Sequence, residues 1–128
     1  MLFTTKTEYG LKALVILAEN QAQRPISLAE IARVTGLSLS YLEQLFAKLK
    51  QAKLVKSIKG AEGGYALSRS AGRINLLEIV EALEGSVAVN QCMSSNCSTK
   101  NCLTRRVWLQ VQGDVIKTLK KYKLSNLI

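Results

Sequence analysis

The spacing of apolar and polar positions along the chain predicts helices over most of its length. Near the amino terminus, apolar residues recur at helical intervals from Thr4 or Thr5 to about Asn20. Gly10 lies inside this segment and indicates that a neighbouring element approaches the helix closely. The predicted inward face consists of Ala13, Leu14, Leu17 and Ala18. The segment is therefore typical of an amphipathic helix that packs against the rest of the protein.

Two short helices separated by a tight turn are predicted next, within residues 27–53. Ser27 is of a type that caps helix amino termini, and Glu30, three residues later, predicts a capping box. Gly36 ends the first helix, because glycine adopts the positive φ angle that a sharp exit requires. The stretch has the organisation of a helix-turn-helix unit.

The second of these helices is amphipathic and begins at Ser38 or Ser40. Its apolar stripe consists of Leu42, Leu45, Phe46 and Leu49. Its polar face consists of Ser40, Tyr41, Glu43, Gln44 and Lys48. Such a helix packs by its stripe and presents its polar face to the major groove of DNA, which admits one helix. An ordinary helical hairpin with a solvated face is the alternative.

The periodicity changes to alternation after Lys53, which predicts two short strands at about 54–58 and 65–68. The glycine-rich turn between them favours a β-hairpin, and a hairpin that follows a recognition helix is called a wing. Lys59 at its tip suits a narrow minor groove or a phosphate, and Lys56 suits a contact to the DNA backbone. A plain surface hairpin is the alternative.

The carboxyl-terminal part of the chain predicts two more helices. Asn75 caps the first, which ends at Gly85, and the second runs from about 103 to 122. Apolar residues recur along the second helix at four-residue intervals, namely Leu103, Val107, Val111, Val115 and Leu119. This broad face predicts pairing with a second copy of the chain, and packing onto its own domain is the alternative. Two-fold pairing would match a palindromic operator.

We expect the fold to be mainly α with a small β-hairpin wing. A winged helix-turn-helix DNA-binding domain is predicted over residues 1–73, and the cysteine loop and a long dimerisation helix over residues 74–128. The candidate DNA-contacting residues are Ser38, Ser40, Tyr41, Glu43, Gln44, Lys48, Lys56 and Lys59.

Charge and composition narrow the class of partner. The chain has 128 residues with 18 lysines and arginines against 9 acidic residues, and its net charge of +9 suits a polyanion.

Histidine is absent, and no glycine-rich nucleotide loop or convincing acidic pair occurs, so we do not expect an enzyme. The longest apolar run, residues 13–18, is too short to span a bilayer, and no leader pattern is recognised. We expect a cytoplasmic protein that does not bind membranes.

Cys92, Cys97 and Cys102 are spaced C-x4-C-x4-C. Steps of five residues would place the three thiols on different faces of a helix or strand, so only a loop brings them together. Three convergent thiolates suit a soft metal site, either an iron-sulfur cluster or zinc. Redox-active thiols without metal and inert thiols are the alternatives.

The chain resembles the Rrf2 family of bacterial transcription regulators over nearly its full length. The resemblance lies in TEYGLKAL, SLSYLEQLFAKLKQAKLVKSIKGAEGGYAL, INLLEIVEALEG, and the three closely spaced cysteines before a long helix. The turn at residues 60–65 is its most family-specific part. The resemblance implies a homodimeric winged helix-turn-helix regulator that binds double-stranded DNA.

The resemblance also implies roles for individual residues. The base-reading positions of the family match Ser40, Tyr41, Glu43 and Gln44. Lys59 occupies the wing position where relatives place an arginine in the minor groove, and lysine lacks the planar fork of that side chain. Three cysteines that hold an iron-sulfur cluster, of the 2Fe-2S or 4Fe-4S type, match Cys92, Cys97 and Cys102.

The fourth cluster ligand is where the chain departs from part of the family. IscR-like members supply a histidine shortly after the third cysteine, where this chain has Arg105 and Arg106. NsrR-like members supply a carboxylate from the first helix of the opposite subunit, and Glu8 lies at that position. A carboxylate near a helix amino terminus is also favourable through the helix dipole alone.

We therefore expect a sequence-specific transcription regulator whose operator binding is modulated by an iron-sulfur cluster. A metal-free CymR-like repressor that senses a protein partner or thiol oxidation is one alternative. A protein that binds nucleic acid through its charge, without reading sequence, is the other.

Overall fold

The computed structural model of the protein describes residues 3–20, 24–88 and 102–128. Its helices are α1 (Thr5–Glu19), α2 (Leu28–Thr35), α3 (Leu39–Gln51), α4 (Leu76–Glu84) and α5 (Arg105–Lys121). Strands β1 (Val55–Ile58) and β2 (Gly64–Leu67) form an antiparallel hairpin, and short 3-10 helices cover Ala71–Arg73 and Leu124–Leu127. The described part of the chain is thus mainly helical with a small wing, as predicted.

Helix α1 begins and packs as its sequence pattern indicates. Thr4 is the N-cap, and its hydroxyl accepts a hydrogen bond from the Lys6 N–H. The predicted inward residues Ala13, Leu14, Leu17 and Ala18 are all buried. A Cβ atom on Gly10 would overlap the Leu83 side chain of α4. The glycine therefore lets α1 and α4 approach each other closely, as predicted.

Helix α2 has only half of the predicted capping box. The Ser27 hydroxyl accepts a hydrogen bond from the Glu30 N–H at 3.2 Å. The reciprocal bond is absent between these two described residues, because the Glu30 carboxylate contacts the Arg24 guanidinium at 3.0 and 3.1 Å. The prediction of a full box was wrong, since a bidentate arginine is the stronger donor to a carboxylate. Gly36 ends the helix with a φ angle of 76°, as predicted.

The wing is attached to the body of the domain by a third backbone segment. Within the hairpin, Val55 pairs with Leu67. Ile26, just before α2, exchanges two backbone hydrogen bonds of 3.0 and 2.8 Å with Tyr65 on β2. A Cβ atom on Gly64 would overlap the Ile26 backbone. Glycine at this position therefore permits the close approach that anchors the wing.

One hydrophobic core joins the helix-turn-helix unit to α4 and to the last 3-10 helix. Its largest fully buried members are Phe46, Leu14, Ile31, Leu42, Leu45, Leu49, Leu54, Ile74, Ile79, Leu83 and Leu124. A smaller cluster of Leu77, Val80, Val87 and Leu119 packs α5 against α4. Helix α4 thus packs against both the helix-turn-helix unit and α5, which lie on opposite sides of the expected domain boundary at residue 73. That boundary stays a prediction.

The last two long helices lie close to their predicted positions. Asn75 and Glu78 form a complete capping box at the start of α4, with bonds of 2.9 and 3.1 Å. In α5, Leu119 near the carboxyl end is buried, whereas Val107 near the amino end is 60% exposed. Leu103, which was predicted to start this helix, lies just before it and is 93% exposed. Across the described ranges, no helix combines the length and apolar character needed to cross a membrane.

Candidate nucleic-acid interface

Helix α3 presents a polar face to solvent in its amino-terminal half. Its predicted apolar stripe of Leu42, Leu45, Phe46 and Leu49 is buried in the core. On the opposite side, Ser40, Glu43 and Gln44 are exposed. Their hydroxyl, carboxylate and amide groups supply donors and acceptors of the kind that pair with base edges in a major groove. The face therefore has the shape and chemistry of a recognition helix.

The first turn of α3 offers backbone donors to an anion. Ser38, the earlier of the two predicted starts, is the N-cap, and its hydroxyl accepts a hydrogen bond from the Tyr41 N–H at 3.2 Å. The N–H groups of Leu39 and Ser40 lie in this turn, where helices lack intrahelical acceptors. These groups and the helix dipole favour a DNA phosphate at this end of α3.

Tyr41 connects the recognition helix to α1. The side chain is half-buried, and its hydroxyl lies 3.5 Å from the Thr5 hydroxyl. Its ring meets the Tyr9 ring edge to face, with centroids 6.2 Å apart. These contacts orient the first turn of α3, so Tyr41 has a packing role in addition to its predicted contact with DNA.

Lys48 points from α3 toward α4. The side chain is half-buried, and its Nζ donates a hydrogen bond to the Leu83 carbonyl oxygen at 3.4 Å. Leu83 lies in the last turn of α4, where carbonyl groups lack intrahelical donors. Lys48 thus stabilises the end of α4, and its contact to DNA stays a prediction.

The wing carries the other two predicted lysines on its surface. Lys56 on β1 and Lys59 in the turn are both exposed. Between them, the Ser57 hydroxyl accepts a hydrogen bond of 3.0 Å from Lys50 Nζ in the last turn of α3. This bond ties the wing to the recognition helix. The role of Lys50 was not predicted from the sequence, because a contact across a helix–strand junction leaves no periodic signal.

The carboxyl-terminal turn of α4 is also bound to the start of α1. The Glu84 carboxylate accepts hydrogen bonds from the Thr4 N–H at 2.5 Å, the Thr4 hydroxyl at 2.7 Å and the Thr7 hydroxyl at 3.0 Å. Burial alone would raise the pKa of Glu84, but these hydrogen bonds and the charge of Lys6 outweigh it and lower the pKa. Glu84 therefore stays ionised and holds the two helix ends together.

The contacts made by Lys48, Leu83, Glu84, Thr4 and Thr7 form one unit, which we call the α4 junction. It joins α3 and α1 to the last turn of α4, and the chain then continues toward the cysteines. The junction was not predicted from the sequence, because its bonds join residues 35 to 80 positions apart. A threonine that caps α1 was recognisable, but its carboxylate partner was not.

Cys102 is the one predicted cysteine ligand within the described ranges, and Cys92 and Cys97 lie outside them. Its half-buried Sγ lies 3.1 Å from the Thr104 hydroxyl. Hydrogen bonds from Thr104 and from the Arg105 N–H, with the charge of Arg105, lower the pKa of the thiol against the smaller opposing effect of burial. A lowered thiol pKa favours the thiolate, which is the form that binds metal.

Glu8, the predicted carboxylate ligand, lies on the exposed side of α1 beside the α4 junction. Its carboxylate is 3.3 Å from the Lys12 ammonium, and the preceding Thr7 is bonded to Glu84. In the ranges that the structure covers, no three histidine, cysteine or acidic side chains converge on a metal-binding position. The donors themselves, a low-pKa thiol and an accessible carboxylate, fit an iron-sulfur cluster.

Comparison with known families identifies the class of protein. Residues 3–128 match the Rrf2 family model, which is described as an iron-dependent transcriptional regulator. The chain belongs to the Rrf2 family. Helix-turn-helix regulators of this family bind DNA. These relatives are regulators of transcription, which agrees with the prediction that the chain is not an enzyme.

Individual Rrf2 relatives resemble the chain over nearly all of its length. The HTH-type transcriptional regulator IscR of Xenorhabdus nematophila is 36% identical, over 100% of this chain and 79% of its own. The structure of CymR, the global cysteine regulator of B. subtilis, is 34% identical with a TM-score of 0.85, covering 99% of this chain and 95% of that one. T. potens IscR is 36% identical with a TM-score of 0.82, covering 99% and 85%.

Proposed function

We propose that the protein is a cytoplasmic, homodimeric regulator that binds a palindromic operator, and that an iron-sulfur cluster modulates this binding. The contact between Lys48 and Leu83 carries the proposal, because it joins the recognition helix to the end of α4 from which the chain continues toward the cysteines. The iron dependence in the description of the family model supports the cluster.

In this proposal, sequence is read by the exposed face of α3. Ser40, Glu43 and Gln44 contact base edges, and the backbone N–H groups in the first turn of α3, which Ser38 caps, hold a phosphate. Lys59 enters the minor groove, and Lys56 contacts the backbone. The bond between Lys50 and Ser57 fixes the spacing between these two sets of contacts.

The exposed apolar side of α5 supports pairing between two copies of the chain. Val107, Trp108 and Val111 are 60%, 37% and 37% exposed and lie within about one turn of α5, so they form a continuous exposed apolar surface. A second copy would cover this surface and place two recognition helices about one DNA turn, or a multiple of it, apart.

Cys92, Cys97 and Cys102 would hold the cluster, with Glu8 supplied by the second copy. When bound, the cluster would supply an iron centre whose state depends on oxidants and on iron supply. Cys102, just before α5, contributes a thiol whose pKa is lowered by hydrogen bonds from Thr104 and Arg105. The α4 junction transmits the arrangement of the cysteine segment to α3, and operator affinity changes only by the difference in affinity between the two arrangements.

The decisive test is anaerobic purification of the full chain followed by absorption spectroscopy and operator binding. We expect a coloured protein, loss of colour in Cys92→Ala, Cys97→Ala and Cys102→Ala, and unchanged colour in Ser98→Ala as the matched control. Operator affinity should differ between the coloured and the bleached protein. A wild type that stays colourless after reconstitution with iron and sulfide would rule out the cluster while leaving DNA binding intact.

A metal-free, CymR-like repressor is the second candidate, and the TM-score of 0.85 to CymR supports it as well as the TM-score of 0.82 to T. potens IscR supports the first. Native mass spectrometry separates the two candidates by the mass of bound iron and sulfide. Binding through charge alone is tested by competing the operator with bulk DNA at about 150 mM salt, because phosphate-driven binding weakens steeply with salt and shows little preference.

A further inference from the structure

Helix α3 exposes one large apolar side chain beside its polar face. Leu42, Leu45, Phe46 and Leu49 are at most 1% exposed, whereas Leu39 is 47% exposed. Leu39 is also absent from the buried and half-buried residues that make up the core. The core therefore does not account for a leucine at this position.

The position of Leu39 places it in the turn that reaches DNA in helix-turn-helix proteins. It is the first residue of α3 and directly follows the N-cap Ser38. In recognition helices, amino-terminal residues are the ones that contact base edges. Exposed Ser40 follows it, so an apolar group and a hydroxyl stand next to each other at the predicted groove surface.

The C5-methyl group of thymine is the apolar feature of a major groove, and branched apolar side chains are its natural contact. We propose that Leu39 is a specificity-determining residue that packs against the methyl group of one thymine in each half-site. The polar residues of α3 carry the hydrogen-bonding part of recognition, and Leu39 adds a contact that cytosine does not offer. This inference rests on the proposed operator binding.

The test removes the two partners of the contact separately. Deoxyuridine removes the methyl group of thymine, and Leu39→Ala removes most of the leucine side chain. An operator is first selected from random duplexes with the full chain, and each thymine is then replaced singly by deoxyuridine, which pairs identically but lacks the methyl group. Burial of one methyl group contributes about 0.8 kcal/mol, so wild type should bind about fourfold more weakly at one thymine per half-site. Leu39→Ala loses the contact in both half-sites of the dimer, so it should bind the unmodified operator about sixteenfold more weakly and show no further loss at that thymine.

Two controls make the result specific. Val34→Ala removes a 65% exposed apolar side chain from α2 and should keep the wild-type pattern of deoxyuridine losses. Far-UV circular dichroism and the midpoint of thermal unfolding check that Leu39→Ala is folded. If Leu39→Ala keeps the wild-type loss at every thymine, or if no deoxyuridine weakens the wild type, the Leu39 contact is overturned while operator binding stands. If the wild type selects no duplex, the proposed function itself fails.

Discussion

The ammonium group of Lys48 on the recognition helix lies 3.4 Å from the carbonyl oxygen of Leu83 in the last turn of α4. The same turn carries Glu84, whose carboxylate is bonded to Thr4 and Thr7 at the start of α1. The end of α4 is therefore held by charged or hydroxyl groups from two other helices. The last turn of α4 is thus connected directly to both α3 and α1.

Replacing Lys48 by methionine should lower the free energy of unfolding and leave the contacts between the protein and DNA phosphates largely unchanged. The variant loses one half-buried hydrogen bond, so we expect the free energy of unfolding to fall by about 1 kcal/mol in urea titrations. Lys56→Met, at an exposed position on the wing, should change it by less than about 0.5 kcal/mol.

The salt dependence of operator binding separates the two lysines further. For Lys56→Met, we expect the slope of log K against log[salt] to decrease by about one, because one phosphate contact is removed. For Lys48→Met, the slope should stay close to that of the wild type. A loss of slope in Lys48→Met with unchanged stability would instead assign Lys48 to the DNA contact.

The Glu84 bonds predict a pH dependence with a defined sign. Its pKa lies below the ordinary value of 4.5 in the folded protein, so its stabilising effect is present above pH 4.5 and is lost as the pH falls through the folded pKa. At pH 7, Glu84→Gln should therefore be less stable than wild type by about 0.5–1 kcal/mol, because the partly exposed carboxylate is screened by water.

The difference between wild type and Glu84→Gln should shrink as urea titrations are repeated at lower pH, toward pH 3. Glu81→Gln, at an exposed position of the same helix, is the matched control and should show a smaller difference at every pH. A Glu84→Gln difference that does not change with pH would contradict the proposed ionised state of Glu84.

Gly64→Ala should displace the wing. The added Cβ atom overlaps the Ile26 backbone, which cannot move as cheaply as the end of a side chain. We expect a loss of at least about 2 kcal/mol in unfolding free energy, or a folded protein with operator affinity reduced at least tenfold. In Gly72→Ala, the nearest atom is the Ser125 Oγ at 3.8 Å, an ordinary contact, so stability and operator affinity should remain close to wild type.

Placing a charge on the exposed apolar face of α5 should separate the two copies. Val107→Asp introduces a carboxylate at a position that is 60% exposed in the single chain and covered in the proposed dimer. We expect light scattering to report the mass of a monomer and operator binding to weaken at least tenfold. Lys117→Asp, at an exposed polar position of the same helix, should remain dimeric. A dimer that persists in Val107→Asp would place the interface elsewhere.

The elements that the sequence predicted are those with signals inside a few residues. Ser38 and Asn75 mark helix starts, Gly36 marks a helix end, and each adopts the predicted role. The alternation after Lys53 likewise predicted the wing, because a change of period is visible without knowledge of the fold. Local chemistry was therefore sufficient for the architecture.

The contacts around the candidate site were not predictable in the same way. The choice of Arg24 over the Ser27 N–H as partner of Glu30, and of Thr4 as partner of Glu84, depends on which segments meet in three dimensions. The stripe and the polar face of α3 were both predicted, but the exposure of Leu39 at the start of the helix was not, because Leu39 belongs to neither set.

Helix α5 is packed against the rest of the protein mainly near its carboxyl end, so a small tilt of the helix moves its amino end by a larger distance. Leu119 fixes one end against α4, while Arg105 lies fourteen residues away, which corresponds to about 21 Å of helix. A tilt of about 5° around the fixed end would move the other end by about 2 Å. Angular changes too small to disturb the packing at the pivot thus become displacements as wide as an atom beside Cys102.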